Sequence, residues 1–122
     1  MTKVVEFFYD FGSPTVYLAA TQLPRIAGPS GATIEWRPML LGGVFKSTGN
    51  QSPVAIAPKA AYMHDDLERF AKRYGVPFRF NPHFPINTLA LMRGAVAYQD
   101  DAVVSQLIVK QSSRRSGLKL GT

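Results

Sequence analysis

The 122-residue sequence predicts an α/β fold built on an N-terminal βαβ unit. Three observations carry that expectation. A short β-branched and aromatic run, Val4-Val5-Glu6-Phe7-Phe8-Tyr9, ends in the turn residues Asp10 and Gly12. Ser13-Pro14 follows at once, the residue pair expected of an N-cap and a first helical position. A second run, Thr33 to Met39, then partly alternates apolar and polar residues. Strand, helix and strand within roughly 40 residues imply a parallel pair joined by a right-handed crossover.

The elements follow in order. Val4–Tyr9 reads as a buried strand, and Val16, Tyr17, Ala20, Leu23 and Ala27 then recur at helical steps until Gly28-Pro29 stops them. Pro24 lies inside that helix, so a kink or an early last turn is expected there. Residues 40–58 read as a long connection rich in Gly, Ser, Asn and Pro, ordered by the apolar pairs Leu40-Leu41 and Val44-Phe45. Pro58 opens a helix with Met63, Leu67, Phe70, Ala71 and Tyr74 on one face and Gly75 as its stop. An extended stretch pinned by Pro77, Pro82 and Pro85 leads to a last helix from Thr88 to about Tyr98. Residues 102–109 fit helix or strand equally, and the basic ending after them is expected to be mobile.

Composition narrows the function. The chain has no cysteine, which excludes a disulfide framework, a Cys-based zinc site and a protein thiol as nucleophile. No apolar run approaches the ~20 residues of a membrane span, and the N-terminus lacks a secretory pattern, so the cytoplasm is the default location. Net charge is +6, but half the excess comes from residues 101–122, where Lys110, Arg114, Arg115 and Lys119 outweigh Asp101. The aromatics beside Arg69, Lys72, Arg73 and Arg79 fall on the apolar face, so a nucleic-acid partner is not expected. His64 and His83 lack ligand spacing, and no metal is expected. A single parallel pair of strands cannot cover its own faces and edges, so either residues 102–109 provide a further strand or the chain lacks part of its fold.

Ser13 is the most suggestive position. It stands where a strand of a parallel sheet ends and a helix begins, the edge at which open α/β sheets place ligands. The helix N-terminus there favours an anion. A plain N-cap serine explains the same residue.

The stretch Phe8-Tyr9-Asp10-Phe11-Gly12-Ser13-Pro14-Thr15-Val16-Tyr17-Leu18-Ala19 resembles the opening of the 2-hydroxychromene-2-carboxylate isomerases and the kappa-class glutathione transferases. Both belong to the DsbA-type thioredoxin-like superfamily. The resemblance continues through Trp36-Arg37-Pro38, Leu41–Lys46, Gly49–Pro53, Pro58–Tyr62 and Pro82–Thr88. It implies the N-terminal βαβ half of a thioredoxin-like fold plus part of a helical insertion domain. The division would be residues 1–57, 58–100 and an atypical basic tail, 101–122.

The resemblance also implies chemistry. Ser13 would take the place of the reactive cysteine and hydrogen-bond the sulfur of glutathione. Asn50 and Lys59 match positions that bind glutathione, Lys46 a position near the substrate carboxylate, and Phe84 an aromatic position at the substrate pocket. The implied reaction is glutathione-dependent cis–trans isomerisation of a small aromatic substrate in hydrocarbon breakdown, with glutathione conjugation as the enzymatic alternative. Family members are longer, and residues after Gln99 resemble none of their second half. The expectation is a C-terminally truncated or frame-shifted member. A non-catalytic remnant, poorly folded or forming a homodimer through its open sheet edge, is the competing reading.

Overall fold

A computed structural model describes residues 2–82 and 84–99. His83, the undecided segment 102–109 and the basic tail lie outside the described residues. The βαβ unit is present: strand β1 (Lys3–Tyr9), helix α1 (Pro14–Ala27) and strand β2 (Ala32–Pro38). The two strands pair in parallel, with Phe7 opposite Trp36 and Tyr9 opposite Pro38. Helices α2 (Leu41–Thr48), α3 (Ala57–Tyr74) and α4 (Leu89–Ala97) follow, with a short 3-10 turn at Pro53–Ala55.

Three expectations need correction. The connection over 40–58 is not a loop, since it holds α2 and the 3-10 turn. Gly42-Gly43 weakens the helical signal, but Gly49 closes the helix in the left-handed conformation that a side chain resists (φ 69°). The early last turn offered at Pro24 does not occur, since α1 runs on to Ala27 and closes with the Gly28 N–H on the Pro24 carbonyl at 3.0 Å. Pro24 has no N–H to give the Ala20 carbonyl, so α1 continues past it at the cost of one interior backbone bond. Finally, β1 is mostly uncovered: Val4 and Phe8 are 52% and 54% exposed, and of its residues Tyr9 alone is buried. A two-stranded sheet leaves an outer face and an edge open among the described residues.

Two apolar clusters hold the elements together. Tyr9, Phe11, Met92 and Ala95 join the end of β1 to α4, with Phe7, Val16, Trp36 and Leu40 packed around them. Phe7 and Trp36 meet edge to face at 5.3 Å, a favoured aromatic geometry. The second cluster, Tyr17, Leu18, Leu67 and Ala71, seats α3 on α1. Residues 76–80 run alongside it in extended form, with Val76, Phe78 and Phe80 turned inward and Pro77 and Arg79 outward. The Tyr17 hydroxyl donates to the Pro77 carbonyl and fixes that segment. The aromatics near the basic run therefore serve mainly as core, although Phe70 remains 38% exposed.

Candidate active site at the start of the first helix

The chain turns sharply between β1 and α1. The Ser13 N–H donates to the Asp10 carbonyl at 3.1 Å, and the Ser13 Oγ accepts from the Val16 N–H at 3.3 Å. Ser13 is therefore the N-cap of α1, as the sequence suggested. Accepting that bond uses a lone pair and leaves the hydroxyl proton available for donation.

Ser13 lines a cavity of about 440 Å³. Four segments build its walls: the Ser13 turn, the start of α2 with Phe45, the start of the 3-10 turn with Met63 of α3, and residues 84–88. The wall is largely apolar, with a few polar groups placed at helix starts, as ligand sites commonly are. The N-termini of α1, α2 and α4 all open onto it. Among the described lining residues Asp10 alone is charged.

Of the residues singled out in the sequence, the fold brings two together here, Ser13 and Phe84. The Phe84 ring sits edge-on to Phe80 at 5.7 Å, which holds the cavity wall to the second core cluster, and the Phe84–Pro85 peptide is cis. Lys46, Asn50 and Lys59 are exposed and do not line the cavity. Lys46 lies one turn beyond Gly42 on α2, and Lys59 one turn before Met63 on α3, so each shares a helix face with a lining residue. The Asn50 Oδ1 accepts from the Gln51 N–H at 2.8 Å, a local turn bond. His64 lies elsewhere, stacked on Phe80 at 4.7 Å and beside Asp65 and Glu68.

Sequence reasoning treated Asp10 only as a turn residue and missed its connections. Its side chain is buried and bonded to three separate segments. Oδ1 accepts from the Gly12 N–H at 2.8 Å and the Thr88 hydroxyl at 2.7 Å, and Oδ2 from the Leu41 N–H at 2.8 Å. The signal that could have found it is an acid between a strand and a Gly-Ser-Pro helix start, where helix N-termini attract negative charge.

The DSBA-like thioredoxin domain matches residues 4–113. The chain belongs to that family. The family match runs past Gln99 into the basic tail, so the likeness does not stop where the sequence motifs placed its end. Among family relatives, a 2-hydroxychromene-2-carboxylate isomerase of Sphingobium xenophagum is 41% identical over 86 residues, 69% of this chain and 44% of that protein. Glutathione s-transferase kappa 2 of Caenorhabditis elegans is 33% identical over 106 residues, 86% of this chain and 46% of its own length. A solved 2-hydroxychromene-2-carboxylate isomerase superposes with a TM-score of 0.79 at 28% identity, covering 93% of this chain and 56% of that one. The chain thus spans a little under half the length of the curated family relatives it matches.

Proposed function

We propose that the cavity binds glutathione with its sulfur at Ser13, and that the chain carries the cofactor half-site of a 2-hydroxychromene-2-carboxylate isomerase. The observation that carries this reading is a Ser13 hydroxyl with a proton to give, at a helix start, on the wall of a largely apolar cavity. Glutathione would supply the nucleophilic sulfur that a chain without cysteine lacks. A free thiol ionises near pH ~8.5, and a hydroxyl donor together with a helix N-terminus favours the thiolate.

The chain's own residues would divide the remaining work. Ser13 donates to the sulfur at the N-terminus of α1, whose dipole favours the anion. Lys59 and Asn50 lie outside the cavity wall and would meet the polar ends of the glutathione peptide. Phe84 offers its ring to an aromatic substrate, and Lys46 would face the substrate carboxylate. A kappa-type glutathione transferase is the second reading, favoured by the longer match to the C. elegans transferase. The two differ in whether glutathione is consumed.

The test is a calorimetric titration of the 122-residue chain with glutathione, repeated with Ser13→Ala. Saturable binding that weakens about tenfold or more in the variant is expected, the size of a charge-assisted hydrogen bond. A folded chain that binds no glutathione would refute the proposal and favour a non-catalytic role.

A further inference from the structure

We propose that Asp10 is a positioning residue whose carboxylate holds three walls of the cavity in one geometry and thereby sets the affinity at Ser13. It rests on the glutathione reading only for the ligand; the positioning itself is a property of the fold.

Asp10 is 4% exposed, and no cation pairs with it among the described residues. A buried carboxylate without a counter-ion persists only if donors surround it. Its three donors come from separate segments. Gly12 N–H belongs to the turn that presents Ser13, Leu41 N–H is the first amide of α2, and the Thr88 hydroxyl precedes α4. Each segment contributes residues to the cavity wall.

Local capping has been given up at both distant partners in favour of Asp10. Leu40, the N-cap of α2, has no side-chain acceptor, and the carboxylate of a residue 31 positions before Leu41 fills that role. Thr88 is the N-cap of α4 but makes no capping bond with its side chain. Its hydroxyl donates to Asp10, and the neighbouring Asn87 Oδ1 accepts the Leu89 N–H at 3.0 Å instead. Packing tightens the same junction. A Cβ on Gly12 would lie 3.0 Å from Thr88 Cγ2 and 3.3 Å from Asp10 Oδ1, so a side chain there would force these neighbours to give by a few tenths of an ångström.

Both carboxylate oxygens are occupied by these bonds, so Asp10 acts through the groups it holds. A carboxylate can accept at both oxygens, whereas an amide can accept at one alone. Asp10→Asn therefore keeps the shape but turns an NH2 group toward either Leu41 or the Gly12 and Thr88 pair. Thr88→Val removes one bond at nearly constant volume, and Thr88→Ser restores it.

The experiment follows glutathione affinity by calorimetry and the Leu41 amide by NMR hydrogen exchange, on full chains held well below their melting temperatures. Asp10→Asn should weaken glutathione about tenfold, the loss expected of a charge-assisted bond, and Thr88→Val about three- to tenfold. Thr88→Ser should lie within about twofold of the parent. In ligand-free Thr88→Val the Leu41 amide, held by the other carboxylate oxygen, should exchange several-fold faster. Unchanged affinity in folded Asp10→Asn and Thr88→Val, with melting temperature alone reduced, would overturn the proposal. If the parent chain binds no glutathione, the cofactor reading fails by itself. The Leu41 exchange rate in Thr88→Val against Thr88→Ser then decides, and equal rates overturn the positioning role. If Asp10→Asn does not fold, affinity and exchange in the Thr88 pair decide in its place.

Discussion

Leu67→Ala tests whether α3 is held by the seam it shares with α1. Leu67 is 5% exposed and packs with Tyr17, Leu18 and Ala71. The substitution removes three carbons, each contributing about 0.8 kcal/mol on burial, or roughly 2.5 kcal/mol of lost transfer energy. The space left behind cannot collapse freely. Tyr17 is tied to the Pro77 carbonyl and stacks on Phe78 at 6.3 Å, so both sides of the gap are anchored. An open cavity adds about 24 cal/mol per Å³, which brings the expected cost to about 3–4 kcal/mol. That is a large share of a domain's ~5–15 kcal/mol.

Urea denaturation checks it, through a lower midpoint at unchanged slope. Ile26→Ala is the control, because Ile26 lies on the same α1 but is 63% exposed, and its loss should cost under about 0.5 kcal/mol. Equal costs for the two variants, or less than about 1 kcal/mol at Leu67, would refute the seam as core. If Leu67→Ala does not fold, Leu67→Val removes one carbon and should cost about 1 kcal/mol. Met63 lies one turn before Leu67 and lines the cavity, so the same variant should also loosen that wall.

Three further outcomes are expected. Gly12→Ala should destabilise by about 1–3 kcal/mol through overpacking against Thr88 Cγ2, and adding Thr88→Ser should recover most of it in a double-mutant cycle. Pro24→Ala should raise Tm by several degrees, since an interior proline costs up to ~3 kcal/mol and the lost rigidity of the unfolded chain returns only ~1; an unchanged or lower Tm counts against it. Burial pushes the Tyr9 phenol above its ordinary value near 10. The unfolded chain then releases that proton first, so stability falls as pH rises past about 10, by up to ~1.4 kcal/mol per unit, until the folded phenol ionises too. Tyr9→Phe should flatten that part of the alkaline profile, and parallel profiles for the two chains would refute the shift.

The parts of the fold legible in the sequence are those whose causes are local. The alternation over 33–39 and the Ser13-Pro14 start placed β2 and α1 within a residue or two, and Ser13 Oγ makes the capping bond its position implied. Helix α2 escaped because its own residues argue weakly for it. Gly42-Gly43 lowers helix propensity, and the acceptor at its first amide comes from Asp10, outside any local window. The exposure of Val4 and Phe8 was hidden for a related reason. A β-branched aromatic run specifies a strand, while burial depends on what lies over it. At the site, Ser13 was readable from position, and its meeting with Phe84 followed only from the family resemblance, because the two are joined through the folded chain.

That same long reach ties the site to the fold. The Asp10–Thr88 bond spans 78 positions and joins the end of β1 to the start of α4, while the cluster of Tyr9, Phe11, Met92 and Ala95 joins those elements just beneath. A truncation of Asp10 therefore strikes an apolar junction and a cavity wall together, and stability alone cannot separate the two effects. Conservative exchanges can. Thr88→Ser keeps the hydroxyl and gives up only a methyl, whereas Thr88→Val keeps the volume and gives up only the hydrogen bond. If packing were what orders the cavity, the serine variant would be the poorer one. Because the carboxylate is the one group that the three wall segments share, the valine variant should be the poorer, and its deficit should be felt at Leu41 as well as at Thr88.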